Sequence, residues 1–187
     1  MSDDDLMRAY QAGDVDAFEE LVRRYRTRLT AFAAQRLGDR GLAEDFVQET
    51  FLRVWQGAGD YIPMGRFRAW LYTIARNLCT NSLAGARRHL GLTPDAPMIL
   101  WTWELEKPAE EGVEAEELHQ RLEQAAATLP EKQRRAVMLR YYHGLSMGEI
   151  AEVEGCPAGT VKSRLHHALK RLRVKLGRLP DPMLTGS

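Results

Sequence analysis

The chain has 187 residues, of which 44% are hydrophobic and 28% charged, and its formal net charge at pH 7 is zero. The apolar fraction excludes general disorder, and no apolar run approaches the ~20 residues that a membrane-spanning helix needs. The acidic N-terminus is unlike a signal peptide, and two cysteines without CxxC spacing fit a reducing compartment, so we expect a cytoplasmic protein without disulfides or a zinc site.

The first predicted helix lies between Asp14, which we assign as its N-cap, and Gly38, which we expect to end it. Its apolar residues recur at helical spacing and form one stripe, which consists of Phe18, Leu21, Val22, Tyr25, Leu29 and Phe32.

Two more helices are predicted over residues 42–56 and 67–87, with a loop rich in helix breakers at residues 57–65. The side chains expected to face the core are Phe46, Val47, Val54 and Trp55 on the first of these helices, and Trp70, Leu71, Ile74 and Leu78 on the second. No stretch of the sequence shows the sustained period-2 alternation of a β-strand.

The segment from residue 89 to 117 interrupts the helical pattern. Residues 89–119 contain 1 Lys or Arg against 8 Asp or Glu, whereas the counts are 13 against 12 for residues 1–88 and 12 against 6 for residues 120–187. The segment also contains three prolines and the apolar residues Leu100, Trp101 and Trp103. We interpret it as an extended acidic linker that contacts something, because fully exposed tryptophans are unfavourable.

Helices resume at residue 118. One helix is predicted to begin with Pro130, since proline at the first helical position loses no hydrogen bond, and to run to Tyr142, before Gly144. Ser146 and Glu149 then have the spacing of a capping box, which opens a short helix.

Gly155 ends this short helix, and Pro157 marks the start of an amphipathic helix. Its inner face consists of Val161, Leu165, Ala168, Leu169 and Leu172, and its outer face of Lys162, Ser163, Arg164, His166, His167, Lys170 and Arg171. A short helix, a glycine turn and a basic amphipathic helix form the helix-turn-helix pattern, whose second helix fits the DNA major groove. The alternative is a helical hairpin with a solvated basic face; the excess of positive charge in this region favours DNA.

The sequence resembles a known family in two separate regions. Residues 129–173, LPEKQRRAVMLRYYHGLSMGEIAEVEGCPAGTVKSRLHHALKRLR, resemble region 4, the C-terminal domain of the extracytoplasmic-function (ECF, group 4) sigma factors of the sigma-70 family, and the string GTVKSRL is highly typical. Residues 17–55 and 67–77, which contain AEDFVQETFLRVW and FRAWLYTIARN, resemble region 2, the N-terminal domain. We therefore predict an all-α protein with two small helical domains, residues 1–88 and 118–187, joined by the extended acidic linker.

The resemblance implies two sets of DNA contacts. Region 4 recognises the −35 promoter element, and the matching residues here are Arg140, Thr160, Lys162, Ser163, Arg164, His166, His167 and Lys170. Region 2 captures a base flipped from the melted −10 element, and the matching residues are Tyr61, Arg66, Arg76, Asn77, Asn81, Arg87 and Arg88. Tyr61 offers a stacking surface and Asn77 a polar group for the base edge. His167 stands where many members carry Arg, so the promoter preference at that base is expected to differ.

The resemblance also implies protein partners. Asp45, Gln48 and Glu49 match positions that dock on the β′ coiled coil of the RNA polymerase core, and the helix bearing Glu131 matches a contact with the β flap. In the family the linker threads through the polymerase; the alternative is that Trp101 and Trp103 pack the two domains together in the free protein. Members of the family are commonly held inactive by an anti-sigma factor, which for this chain would be a separate protein.

Two other classes of function fit the sequence less well. An autonomous helix-turn-helix regulator of the LuxR type has similar C-terminal patterning but binds duplex DNA without polymerase. An enzyme is disfavoured, because the five histidines form no HExxH motif and the sequence has no GxSxG, P-loop or dinucleotide fingerprint. We therefore expect no catalytic residues, no cofactor and no metal.

Overall fold

The computed structural model describes residues 1–37, 40–89 and 124–176, and every regular element in these ranges is helical. The chain divides into two compact units, Met1–Leu105 and Glu106–Ser187. The first contains α1 (Asp3–Gln11), α2 (Val15–Leu37), α3 (Arg40–Gly57), a 3₁₀ helix (Ala58–Asp60) and α4 (Phe67–His89). The second contains α5 (Glu131–Val137), a π-helical turn (Met138–Tyr142), α6 (Met147–Glu154) and α7 (Ala158–Leu176). The all-α prediction is confirmed, whereas the predicted linker falls, apart from His89, outside the described residues.

Helix α1 is absent from the sequence-based prediction, although its start carries a reciprocal cap. The Ser2 hydroxyl accepts a hydrogen bond from the Asp5 backbone N–H at 3.2 Å, and the Asp5 carboxylate accepts one from the Ser2 N–H at 3.1 Å. The acidic first turn lies at the positive end of the helix dipole, where negative charge is stabilising. Leu6 and Met7 are buried, so α1 is part of the N-terminal core.

The start of α2 confirms Asp14 as its N-cap, since one carboxylate oxygen accepts hydrogen bonds from the backbone N–H groups of Asp16 and Ala17 at 3.1 and 3.4 Å. The connection from α1 turns at Gly13, whose φ of +103° would strain any side chain. Helix α2 ends at Leu37, and the predicted stop, Gly38, lies outside the described residues.

Helix α2 packs against α3 and α4. Four residues of its predicted apolar stripe, Leu21, Tyr25, Leu29 and Phe32, are buried, and the other two, Phe18 and Val22, are half-buried. Two aromatic contacts join α2 to α4: the ring centroids of Phe32 and Tyr72 are 5.3 Å apart, and those of Tyr25 and Phe67 are 5.7 Å apart. Each large apolar side chain buried in this way contributes about 1.5–3 kcal/mol relative to exposure. The core of the N-terminal unit therefore lies where these three helices meet.

The prediction that Trp55 faces the core is wrong, because 56% of this residue is exposed. The buried apolar residues of α3 recur every three or four positions at Ala43, Val47, Phe51 and Val54. Trp55 lies one position beyond Val54 and so points about 100° away around the helix axis. Phe46, also expected inside, is half-buried.

On α4, the predicted core residue Leu71 is fully buried, whereas Trp70, Ile74 and Leu78 are half-buried. The Trp70 ring lies 4.6 Å from the Tyr61 ring and 6.1 Å from the Phe67 ring, measured between centroids. Trp70 thus packs at the edge of the core, beside the loop that precedes α4.

In the C-terminal unit, residues 124–127 are helical, and the next helix, α5, begins one residue later than predicted. Pro130 is the N-cap of α5, with φ −53° and ψ 142°, and its carbonyl accepts hydrogen bonds from the N–H groups of Gln133 and Arg134. The α-helical part ends at Val137, and a π-helical turn completes the predicted length to Tyr142. Gly144, with φ +70°, follows directly after the C-cap His143, so the helix ends where predicted.

The helix-turn-helix is confirmed in detail. The Ser146 hydroxyl accepts from the Glu149 N–H at 3.2 Å while the Glu149 carboxylate accepts from the Ser146 N–H at 2.7 Å, so both halves of the capping box are present. Gly155 ends α6 in the left-handed conformation, at φ +62°. Helices α5 and α6 both pack on α7. The buried stripe of α7 comprises Val161, Leu165, Ala168 and Leu172, while Leu169 is half-buried.

Removal of the α6 cap should be visible as local opening. Ser146→Ala is expected to destabilise α6 by about 1 kcal/mol, because the Glu149 N–H loses its acceptor. Ser146→Asp restores an N-cap acceptor and serves as the matched control. Amide hydrogen exchange over residues 147–154 measures the effect, and equal exchange in the Ala and Asp variants would contradict it.

The two cysteines should differ in reactivity. Cys79 on α4 is fully buried, and this burial raises the pKa of its thiol to about 12, so the reactive thiolate is scarce at pH 8. Cys156, in the turn between α6 and α7, is half-buried. Alkylation of the native chain at pH 8 should modify Cys156 alone, and both thiols after unfolding. The native Cys156→Ser variant should remain unlabelled; rapid labelling of that variant would show that Cys79 is accessible.

Candidate nucleic-acid interface

Helix α7 presents a basic face to solvent, opposite its buried stripe. Five of the residues predicted to contact the −35 element are exposed on this face, namely Lys162, Ser163, His166, His167 and Lys170. Their spacing of one, three or four positions keeps them on one side of the helix. Lysine can contact phosphates or base edges, while serine and histidine can form hydrogen bonds with base edges. The face therefore has both kinds of group that duplex recognition needs.

Arg164 differs from its neighbours because it is held within the helix-turn-helix. Its side chain is 18% exposed, and its guanidinium lies 3.8 Å from the carboxylate of Glu154, whose side chain is 2% exposed. The same carboxylate pairs with Arg135 at 2.9 Å. A buried carboxylate requires such partners, so Arg164 and Arg135 join α7 and α5 to the end of α6. The predicted phosphate contact of Arg164 stays a prediction.

Arg140 and Thr160 are both half-buried. Arg140 donates a hydrogen bond to the backbone carbonyl of Leu145 at 3.1 Å and so supports the turn before α6. Thr160 lies in the first turn of α7, where backbone N–H groups favour an anion such as a DNA phosphate. The structure therefore places Thr160 beside the basic face and gives Arg140 a contact within the fold.

Tyr61, predicted to stack on an unpaired base, is built into the N-terminal unit. The residue is 8% exposed, its ring packs against Trp70 and Phe67, and its hydroxyl donates a hydrogen bond to the Asp4 carboxylate at 2.9 Å. Burial, followed by the bond to Asp4, raises the pKa of the Tyr61 phenol. A base can stack on the face covered by Trp70 only if that ring moves.

Residues 58–66, which connect α3 to α4 and are called the 58–66 loop below, carry two exposed apolar side chains that were not predicted as contacts. Ile62 is 71% exposed and Met64 is 70% exposed. The sequence does contain an indication of this exposed surface, because it places large apolar residues in a loop that also contains glycine and proline. Side chains of this kind insert between bases in several proteins that deform DNA.

The other residues predicted to contact the −10 element lie on or just before α4. Asn77 and Asn81 are exposed and one helical turn apart, so their amides share one face of α4. Arg66 is exposed and Arg76 is half-buried. The side chains of Arg87 and Arg88 lie outside the described residues.

The residues predicted to contact polymerase lie on α3. Asp45 and Gln48 are exposed, and Glu49 forms an exposed ion pair with Arg53 at 2.9 Å. Gln48 also lines an open groove of about 510 Å³ between α2 and α3. This surface also has an apolar part, which was not predicted from the sequence and includes the exposed side chains of Leu52 and Trp55.

Within the described ranges, no group of three or more histidine, cysteine, aspartate or glutamate side chains is arranged to hold a metal ion. No helix in the same part of the chain is both long enough and apolar enough to cross a lipid bilayer.

Comparison with known proteins matches both units to one family. The sequence profile of Sigma-70 region 2 matches residues 21–89, and that of Sigma-70, region 4 matches residues 119–172. The chain is 37% identical over 177 residues to the ECF RNA polymerase sigma factor SigL of Mycobacterium tuberculosis, a match that covers 93% of this chain and 90% of SigL. It is 34% identical over 169 residues to the ECF RNA polymerase sigma factor BldN of Streptomyces coelicolor, covering 90% of this chain and 63% of BldN.

A solved structure supports the same assignment. The sigma factor RpoE from Bartonella quintana, in its complex with the anti-sigma factor NepR, matches this fold with a TM-score of 0.69 at 27% identity, over 87% of this chain and 98% of RpoE. The matched regions occur in the order that the sequence motifs predict. The chain therefore belongs to the sigma-70 family, as an RNA polymerase sigma factor of the ECF type.

Proposed function

We propose that the two units divide promoter recognition between them. In this proposal residues 1–88 bind core polymerase and hold unpaired bases of the −10 element, residues 118–187 bind the duplex −35 element, and residues 89–117 connect them. The observation that supports this proposal most directly is the exposed basic face of α7. A buried apolar stripe on the same helix directs this face outward. The proposed factor is a group 4 member, acts in the cytoplasm where its polymerase is, and catalyses nothing itself.

The −35 contact rests on how α7 distributes its side chains. Lys162, Ser163 and His167 project from the N-terminal half of the helix, which is the part that enters the major groove in helix-turn-helix proteins. Lys170 lies two turns after Lys162–Ser163 and is suited to a phosphate. Arg164 supports this surface from inside through its contact with Glu154. We therefore assign it a structural role and, in addition, a contact with a phosphate of the DNA backbone.

The −10 contact is assigned to α4 and the 58–66 loop. Opening DNA costs about 1.4 kcal/mol per base-pair step on average, and capture of a flipped base offsets part of that cost at roughly 1–3 kcal/mol per stacked base. Asn77 supplies an accessible amide for the base edge, and Ile62 and Met64 supply exposed apolar surface. Tyr61 supports the loop from within, unless Trp70 moves to expose its ring.

The polymerase contact is assigned to α3. Asp45, Gln48 and Glu49 offer polar and acidic groups that suit a basic partner helix, and the adjacent groove between α2 and α3 offers apolar surface. We assign the contact with the β flap to α5, the helix that bears Glu131. Because RpoE was solved with an anti-sigma factor, we also propose that a separate anti-sigma protein covers these surfaces when the factor is inactive.

A LuxR-type regulator is the rival function, and the Sigma-70 region 2 match over residues 21–89 speaks against it. A run-off transcription assay with core polymerase separates the two. Promoter-specific transcripts that require the chain support the sigma function. Specific duplex binding by the chain alone, without transcripts, would support the regulator.

Lys162→Ala tests the −35 surface. The holoenzyme should lose about 1–3 kcal/mol of binding to −35 promoter DNA, because a base-edge contact in the major groove is removed. Binding to core polymerase should be unchanged. Lys175→Ala, at an exposed lysine more than three turns further along α7, is the matched control. An equal loss of core-polymerase affinity in Lys162→Ala would show that this helix face is wrongly assigned.

Asn77→Ala tests the −10 surface. Open-complex formation should weaken by about 0.5–1.5 kcal/mol, the net value of a hydrogen bond, while closed-complex binding stays the same. Thr80→Ala is a suitable control, because Thr80 is exposed on α4 and its hydroxyl donates to the Arg76 carbonyl of its own helix. Permanganate footprinting of the −10 thymines measures the opening. Unchanged reactivity with Asn77→Ala would remove this residue from the site.

A further inference from the structure

Helix α1 is tied to the 58–66 loop by three side chains. The Gln11 side-chain amide donates hydrogen bonds to the backbone carbonyls of Ala58 and Tyr61, both at 2.7 Å. The Arg8 guanidinium donates one to the carbonyl of Pro63 at 3.2 Å. These bonds reach across 47 to 55 positions of sequence and fix the backbone of the loop at three points.

Asp4 makes the most demanding of these contacts, because its carboxylate is buried. One oxygen accepts from the Tyr61 hydroxyl at 2.9 Å, and the other accepts from the backbone N–H of Gly65. A buried carboxylate is costly without donors, and both of these donors come from the loop. Gly65 has φ +75°, a conformation that favours glycine at this turn. The loop conformation and the burial of Asp4 therefore stabilise each other.

The other side of α1 is attached to α2. Asp3 accepts hydrogen bonds from the Tyr25 hydroxyl at 2.5 Å and from the Arg24 guanidinium at 3.1 Å. Leu6 and Met7 are buried in the same unit. These contacts anchor α1 to the core. The hydrogen bonds from α1 therefore hold the 58–66 loop in a fixed position relative to the core.

The direction of the loop side chains follows from these contacts. The ring of Tyr61 is held inside, whereas Ile62 and Met64, on either side of the bonded Pro63 carbonyl, point to solvent. We propose that Asp4 and Gln11 are positioning residues, which set the conformation of the 58–66 loop and thereby its discrimination of a base in the −10 element. This inference rests on the proposed function of the loop in −10 recognition.

Two variants test the inference in the full-length chain. Gln11→Ala removes both bonds to the loop carbonyls at an exposed helical position, where alanine preserves the helix. Asp4→Asn leaves one acceptor oxygen for two donors. Gln56→Ala, at an exposed glutamine near the end of α3, is the matched control.

Two measurements are made on each variant. Amide hydrogen exchange of Tyr61 and Gly65 reports the order of the loop directly. Run-off transcription by the holoenzyme, from two promoters that differ at one −10 base, reports discrimination as a ratio of transcripts. A variant that only lowers the amount of folded protein reduces both transcripts alike and leaves the ratio unchanged.

Gln11→Ala should speed exchange of these amides by roughly 5- to 100-fold, since two hydrogen bonds are lost. The wild-type transcript ratio is expected to be roughly 5 to 100 for one wrong base, and it should fall several-fold toward one in both variants. Binding to core polymerase and to −35 DNA should be unchanged, and Gln56→Ala should behave as wild type.

Unchanged exchange in both variants would overturn the inference, because α1 would then not hold the loop. Faster exchange with an unchanged transcript ratio would also overturn it, because the loop conformation would then not set discrimination. If the wild-type chain gives no promoter-specific transcripts, the proposed function fails and the inference fails with it. That failure is recognised from the wild-type lane alone, before any variant is compared.

Discussion

Burial of one apolar stripe on α7 is the constraint on which the candidate DNA surface depends. Val161, Leu165, Ala168 and Leu172 are covered by α5 and α6. A rotation of α7 that turned the basic face inward would expose these four residues and forfeit several kcal/mol of hydrophobic stabilisation. The orientation of the basic side chains is thus set by packing beneath them, and it needs no DNA to establish it.

The parts of the fold that follow from periodicity and capping could be predicted from the sequence. The apolar stripe of α2, the N-cap Asp14, the capping box at Ser146 and the turn at Gly155 all have local chemical causes, and all are present. The exposure of most residues predicted to contact the −35 element follows from the same reasoning, because the residues of an amphipathic helix that lie outside its apolar stripe face solvent. The division of function between two modules came instead from motif resemblance.

The contacts that a side chain makes within the fold could not be predicted from the periodic pattern. Tyr61 has an aromatic ring of the kind that stacks on bases, but its hydroxyl donates a hydrogen bond to Asp4 and its ring packs against Trp70. Arg164 lies on the basic face by spacing, but Glu154 draws it inward. The acidic start of the chain does not by itself predict α1, although Ser2 and Asp5 form its cap. Pairings of this kind are visible in coordinates and not in a periodic pattern.

The shared carboxylate of Glu154 has a consequence for how the factor responds to its ionic surroundings. Dissolved salt screens charges in contact with water far more than charges beneath the surface. Lys162 and Lys170 are in contact with water, whereas the Glu154 carboxylate with its two arginines is largely shielded. In the proposed complex with DNA, a rise in ionic strength would therefore weaken the contacts of the exposed lysines, while the ion pairs of Glu154 that hold α6 on α7 would change little.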